Sequence, residues 1–279
     1  MKKFLILTLA MLMLAVMFSG CGQAPANNTQ ESPDAPVQSS DDESGVSAEV
    51  DPQEPAGADD TVPSTGYPAA DSYTAYMNAK NVVLTKLSDG LGNNADSLSA
   101  SFTLLGVAMV DLAILPVSYF GMGEEAVTMG LAMFSNEDVK YTEDGNSYTI
   151  SYVDSNGVAN VFSGTYDAAA DAMVCSATAD GKENLYAEYR KTPFGYISQY
   201  YFVNDDGTTS LYQFAVNGED GTLGVSTSQA TQPAALTGSE AADFPAALPE
   251  WYTISGSTIT GKTSDGTELN FEYVPSATE

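Results

Sequence analysis

The sequence predicts an α+β domain over residues 69–279, with two or three N-terminal helices packed on an antiparallel β-meander sheet. Three observations carry that prediction. Apolar residues recur at helical spacing between 71 and 134; from Val139 to Val274 the period changes to two; and Asx-Gly pairs punctuate the second region at Asp144-Gly145, Asn156-Gly157, Asp180-Gly181, Asp206-Gly207, Asp220-Gly221 and Asp265-Gly266. Such pairs tolerate the positive φ values of two-residue hairpin turns, so they join neighbouring antiparallel strands. No crossover helix fits between them, which excludes a parallel sheet. Helices on one face of the meander would complete a two-layer domain.

The chain begins with Lys2 and Lys3 and then runs apolar from Phe4 to Phe18. A basic start followed by an apolar run of this length is an export signal. Small residues Ser19 and Gly20 then precede Cys21. The run Phe18-Ser19-Gly20-Cys21 resembles the lipobox of bacterial lipoproteins, with phenylalanine where that family most often carries leucine. The resemblance implies a signal peptide over 1–20, cleavage before Cys21, a diacylglycerol thioether on Cys21 and an N-acyl chain such as palmitate on the new N-terminus. It also implies a lipid-anchored protein at the cell surface, on the extracytoplasmic face of a bacterial membrane. An ordinary cleaved signal with an incidental cysteine, or an uncleaved anchor, is the alternative reading of the same run.

From Cys21 to Pro68 the chain reads as a linker. Between Gly22 and Pro68 lie 10 acidic residues and 7 prolines, no lysine or arginine, and no aromatic residue before Tyr67. A segment with so little apolar surface cannot offset the entropy of ordering itself. As a flexible coil it would span roughly 40 Å, and charge repulsion would extend it further. It is expected to be a disordered tether.

Charge and composition narrow the function. The 279 residues hold 9 basic and 37 acidic side chains, a formal charge of −28, and no histidine. Nucleic acid is therefore excluded as a partner. The lack of histidine removes Ser-His-Asp and Cys-His catalysis and imidazole metal ligands. Only two cysteines exist. With Cys21 lipidated, Cys175 has no disulfide partner, and its alternating surroundings suit a buried small side chain better than a reactive thiol near Lys182.

In the helical region, Asp71 or Ser72 can cap a helix carrying Tyr73, Tyr76, Met77, Val83, Leu84 and Leu87, closed by Gly90 and Gly92. A second helix is expected over Leu98 to Leu115, stopped or kinked by Pro116. The stretch Phe102 to Gly123 is the most apolar downstream of the signal, with Asp111 as its one charge. A membrane span would put Asp111 in the bilayer at a cost of about 2.5–3.5 kcal/mol, between acidic flanks. A helix buried all round is the expectation, and a helix lining an apolar groove or touching lipid is the alternative. Asp111 is then a paired or partly exposed carboxylate, or a buried acid. Glu124 and Glu125 open a third short helix.

Strands are expected near 147–153, 158–165, 172–178, 183–190, 196–203, 210–216 and 223–227. An Ala- and Pro-rich break over 229–249 precedes closing strands near 251–255, 257–261 and 267–274. On the central strands, Leu185, Ala187, Tyr189, Tyr196, Tyr200, Phe202, Tyr212, Phe214 and Val216 share the face assigned to the helices. The opposite face carries Tyr186, Glu188, Arg190, Gln199, Tyr201 and Gln213, and includes the only arginine of the chain. Arginine among aromatics and amides can hold a carboxylate or a sugar, so these six are the candidate binding face. A plain solvated face with a Glu188–Arg190 pair is the competing reading. Acidic pairs at Asp205-Asp206 and Glu219-Asp220 sit at hairpin turns without a spaced calcium-ligand set, so no metal is expected.

No catalytic residue and no cofactor beyond the Cys21 lipid emerge. The reading is an exported, membrane-anchored lipoprotein whose domain is a non-catalytic binding or envelope-associated module for an extracytoplasmic protein, polymer or small ligand. A carrier or sensor of an apolar ligand, held in a cavity between helix and sheet, is the alternative; a carboxylate hydrolase is a third.

Overall fold

Pro68 opens helix α1 (Pro68–Gly92), because proline at the first helical position lacks only an N–H that would be unpaired there anyway. The incoming chain is fastened to it by Asp71, which accepts hydrogen bonds from Ser64 Oγ (2.8 Å), Thr65 N (2.9 Å) and Thr65 Oγ1 (2.7 Å). Asp71 thus serves the first turn rather than the cap position. The apolar stripe of α1 is buried from Ala69 and Tyr73 to Leu91. Helix α2 (Leu98–Ala113) follows, then a 3-10 turn at Leu115–Tyr119 built on Pro116, and helix α3 (Glu124–Ala132), with both glutamates in its first turn. The computed structural model describes residues 64–94, 98–204, 206–228 and 231–275, which belong to one unit of the chain. The expected signal peptide, Cys21, the linker up to Pro63 and Asp205 lie outside the described residues.

The remaining elements are strands β1 (Glu137–Asp144), β2 (Ser147–Val153), β3 (Ala159–Asp167), β4 (Ala172–Ala179), β5 (Lys182–Thr192), β6 (Gly195–Val203), β7 (Thr209–Asn217), β8 (Asp220–Ser226), β9 (Glu250–Ser255), β10 (Thr258–Lys262) and β11 (Glu268–Glu272). They form one 11-stranded antiparallel sheet whose spatial order is the order of the sequence. This corrects the α+β expectation. The fold is dominated by its sheet, with only three described α-helices beside it. Two pairings account for the difference: β1 extends the sheet before the first expected strand, and β8 pairs directly with β9, so the closing strands continue the same sheet across the 229–249 break.

Helix α1 runs across the sheet, touching β4, β6, β7, β8 and β9. Its last turn reaches β10, where Gly90 lies against Ile259; a Cβ at that position would come within 2.2 Å of Ile259 Cδ1. The inner face of the sheet is the one expected to face the helices: Leu185, Ala187, Tyr189, Tyr196, Tyr200, Phe214 and Val216 are all buried in the core. Tyr76 of α1 stacks on Tyr189 (4.6 Å, 5°) and meets Tyr196 edge-on (5.7 Å). The 3-10 turn supplies Phe120, stacked on Tyr148 of β2 at 4.8 Å. Helix α2 is not buried all round, because only 33% of the apolar stretch Ala100–Tyr119 is covered.

Candidate functional site

Two polar constellations lie on opposite faces of the sheet. On the helix side, Lys80 of α1 is fully buried and paired with Asp111 of α2. Its ammonium lies over three aromatic rings, Tyr76, Tyr200 and Phe214, at 5.2–5.7 Å from their centroids. Burial pushes the Lys80 pKa down, and Asp111 opposes that shift. The Tyr76 hydroxyl donates to Ser198 Oγ (2.7 Å) and accepts from the Tyr200 hydroxyl. Burial raises the pKa of both phenols. Asp111 is therefore a paired carboxylate. Its partner escaped the sequence reading, although a gap in the α1 stripe between Tyr76 and Val83 falls at Lys80.

Around this cluster the core is dense. The void bounded by Tyr73, Ile114, Met173, Cys175, Tyr189 and Tyr200 is about 10 Å³, too small for more than a single water. It offers no room for an apolar ligand. Cys175 is buried there with its thiol pKa raised by burial, so it is a packing residue without nucleophilic character.

The outer face differs from the expected wet surface. Segment 231–248 crosses it as a strap, with Leu236 packed on Ile197 and Ala215 beside Phe194 and Phe244. Beneath the strap, Glu188 is buried and accepts hydrogen bonds from Gln199 Nε2 (2.5 Å) and from the backbone N–H of Leu236 (3.0 Å). Gln199 also donates to the carbonyl of Ala234 (2.7 Å) and accepts from Gln213 Nε2 (3.2 Å). Burial, followed by the neighbouring Glu188 charge, pushes the Tyr186 phenol up. Tyr201 is buried as well. Of the six candidate residues, Glu188, Gln199 and Gln213 are thus joined in one internal network.

Arg190 is the exception. It does not pair with Glu188, and no carboxylate among the described residues lies within ion-pair distance of it. Its Nε is buried without a hydrogen-bond partner, and so is Thr192 Oγ1 two residues on, in a side chain that is 9% exposed. Both sit at the end of β5, where Gly195 closes a tight hairpin at φ 148; a Cβ there would stand 2.0 Å from the Val216 carbonyl oxygen. The alternation of the strand sends Lys191 to the inner face, where its ammonium meets Asp171 (3.6 Å) and the Tyr196 ring (5.8 Å).

These residues border an open cleft of about 430 Å³, lined by Asp171, Arg190, Lys191, Thr192, Thr237 and Gly238. Asp171 belongs to the β3–β4 turn and holds a positive φ of 44°. It accepts from Ser72 Oγ (2.5 Å), which joins Tyr189 OH (2.9 Å), so α1, the turn and β5 are bound together at the cleft wall. On the other side the strap is shaped by Glu240, which accepts from the backbone N–H of Thr237 (2.7 Å) and Gly238 (2.8 Å). Gly238 then lies against the aliphatic stem of Arg190. The Arg190 Nε–H and the Thr192 hydroxyl, both buried without a partner in residues that line the cleft, are donors that an anion with two oxygens could engage once a side-chain shift opens them. No group of three or more potential metal ligands occurs among the described residues. Compared with protein families, with curated proteins and with solved structures, the chain matches none.

Proposed function

We propose that this chain is a lipid-anchored, non-catalytic binding module on the extracytoplasmic face of a bacterial membrane, and that it holds one anionic group of its ligand at the Arg190–Thr192 cleft. The observation that carries the reading is the pair of buried, unpartnered polar atoms, Arg190 Nε and Thr192 Oγ1, on one cleft wall. Burying polar groups without partners costs about 1–3 kcal/mol each, a cost that a bound carboxylate or phosphate would remove. The ligand carries a single anionic group rather than a polyanion, since the chain as a whole has a formal charge of −28. A non-catalytic role is supported by the placement of the two candidate acids. Asp111 is paired on the helix side and Glu188 is sealed under the strap on the other face, so they cannot work on one bond.

The single arginine makes the test direct, because its Nε–H gives one assignable resonance. Titration with acetate or inorganic phosphate should shift that resonance saturably, while chloride at equal ionic strength should not, and Thr192→Val should weaken the response. An Nε–H signal that ignores both anions would remove the site.

A further inference from the structure

We infer that the outward face of α2 is a lipid-contacting surface, which lies on the hydrocarbon boundary of the membrane to which Cys21 tethers the chain. The inference rests on the lipid-anchor reading and adds an orientation to it. Helix α2 buries Val107, Val110 and, just beyond its end, Ile114 on one side. Its opposite side carries the exposed Phe102, Met109 and Ala113, with the half-buried Leu105 and Leu112 between them, at helical spacing. Phe102 is 71% exposed and Met109 44% exposed. No charge interrupts the stripe. The one charge of the helix, Asp111, is turned to the buried ammonium of Lys80 instead. Large apolar side chains at this density on a solvent face mark a surface that something covers.

Sequence and charge select the occupant. The chain outside the described residues cannot supply a cover once the signal peptide is removed, because the stretch from Gly22 to Pro63 has no aromatic residue and is rich in acids and proline. A second copy would bring another strongly acidic surface against the first, since each chain carries 37 acidic and 9 basic residues. A bilayer interior has no charge to oppose, and the tether keeps it near. A lipid on Cys21 leaves the domain on a chain of finite length, which makes docking an intramolecular event. The 16-residue helix is about 24 Å long and would lie in the interface plane, as amphipathic helices do, with Asp111 and Lys80 held on the protein side.

The test uses the full mature lipidated chain on phosphatidylcholine vesicles, with Phe102→Trp in a Trp251→Phe background so that one indole reports. Docking predicts a blue-shifted emission that brominated acyl chains quench, and Met109→Glu should abolish the quenching while flotation with the vesicles persists. A chain that floats through Cys21 with its indole as exposed as in buffer would overturn the inference and leave the anchor intact. Failure to float, together with unchanged lipid labelling in Cys21→Ser, would remove the anchor and the inference with it. A concentration-dependent dimer abolished by Met109→Glu would assign the face to a second copy and likewise overturn the lipid assignment.

Discussion

Lys80 shows how a single residue can be decided by its surroundings. Its side chain is fully enclosed among Tyr76, Tyr200 and Phe214, and its carboxylate partner among the described residues is Asp111. Removing one partner of a buried pair leaves the other charge unsupported, a loss of about 3–5 kcal/mol. Asp111→Asn is therefore expected to destabilise the fold strongly, measured as a shift of the urea midpoint at neutral pH. The loss is limited by the amine itself. Burial already pulls the Lys80 pKa down, and without Asp111 to oppose that shift the lysine sheds its proton more readily. Lys80→Met combined with Asp111→Asn should recover much of the stability, since a thioether side chain fits among three rings without a charge to compensate. A double mutant as unstable as Asp111→Asn alone would show that packing, not charge, holds the two helices together.

At the scale of elements, the strap over 231–248 changes the meaning of the sheet face beneath it. Leu236 anchors it against Ile197 and Ala215, and its backbone satisfies Glu188 and Gln199. Leu236→Ala should cost about 2–5 kcal/mol if the gap does not collapse. Amide exchange should then accelerate across the strap before it does in β5 to β7. Because Thr237 and Gly238 form one wall of the cleft, the same variant should weaken anion binding at Arg190. Uniform acceleration across the whole sheet would show that the strap does not open independently.

The same element marks where sequence reasoning stopped. Several hairpins were legible because Asx-Gly pairs separate runs of period two, although Asp220-Gly221 opens β8 and the turn before it falls at Gly218-Glu219; the inner face was legible because Tyr189, Tyr200 and Phe214 fall on one alternation. The strap is rich in alanine and proline and has neither period nor Asx-Gly pairs, so nothing local says that it folds back over the sheet. Glu188, Gln199 and Gln213 consequently read as solvated, since sequence cannot show a distant backbone N–H supplying the hydrogen bond. Arg190 was legible as the only arginine of the chain, but not its unpartnered Nε, which depends on where Glu188 turns. Lys80 left a fainter signal, a lysine at the position where the α1 stripe between Tyr76 and Val83 needs an apolar residue.

For the molecule as a whole, tyrosine dominates the response to alkali. Burial raises the pKa of Tyr73, Tyr76 and Tyr200, and of Tyr189 and Tyr252, well beyond the ordinary value of 10.0. In the unfolded chain these phenols ionise near pH 10, while the folded protein keeps them protonated. The folded state then binds more protons, so the stability these groups contribute is fully present below pH 10 and is lost as pH rises above it. Each adds a slope of about 1.4 kcal/mol per pH unit. Unfolding should therefore set in abruptly above pH 10, with tyrosinate absorbance and loss of near-ultraviolet circular dichroism in one transition. Gradual ionisation with the fold intact would contradict the burial of these rings.

The order of the sheet bears on how such a protein is made. Every strand pairs with its neighbour in the chain, so each hairpin can zip as soon as its second strand is available. The first described helix has a different history. The packing partners of α1 extend from Asp171, beside Ser72, to Ile259, where Gly90 rests, so the first described helix must wait for nearly the last strand to complete its packing. Folding thus proceeds strand by strand at the growing edge while the first described helix remains the final seal, and a chain arrested before β10 would carry that helix half unpacked.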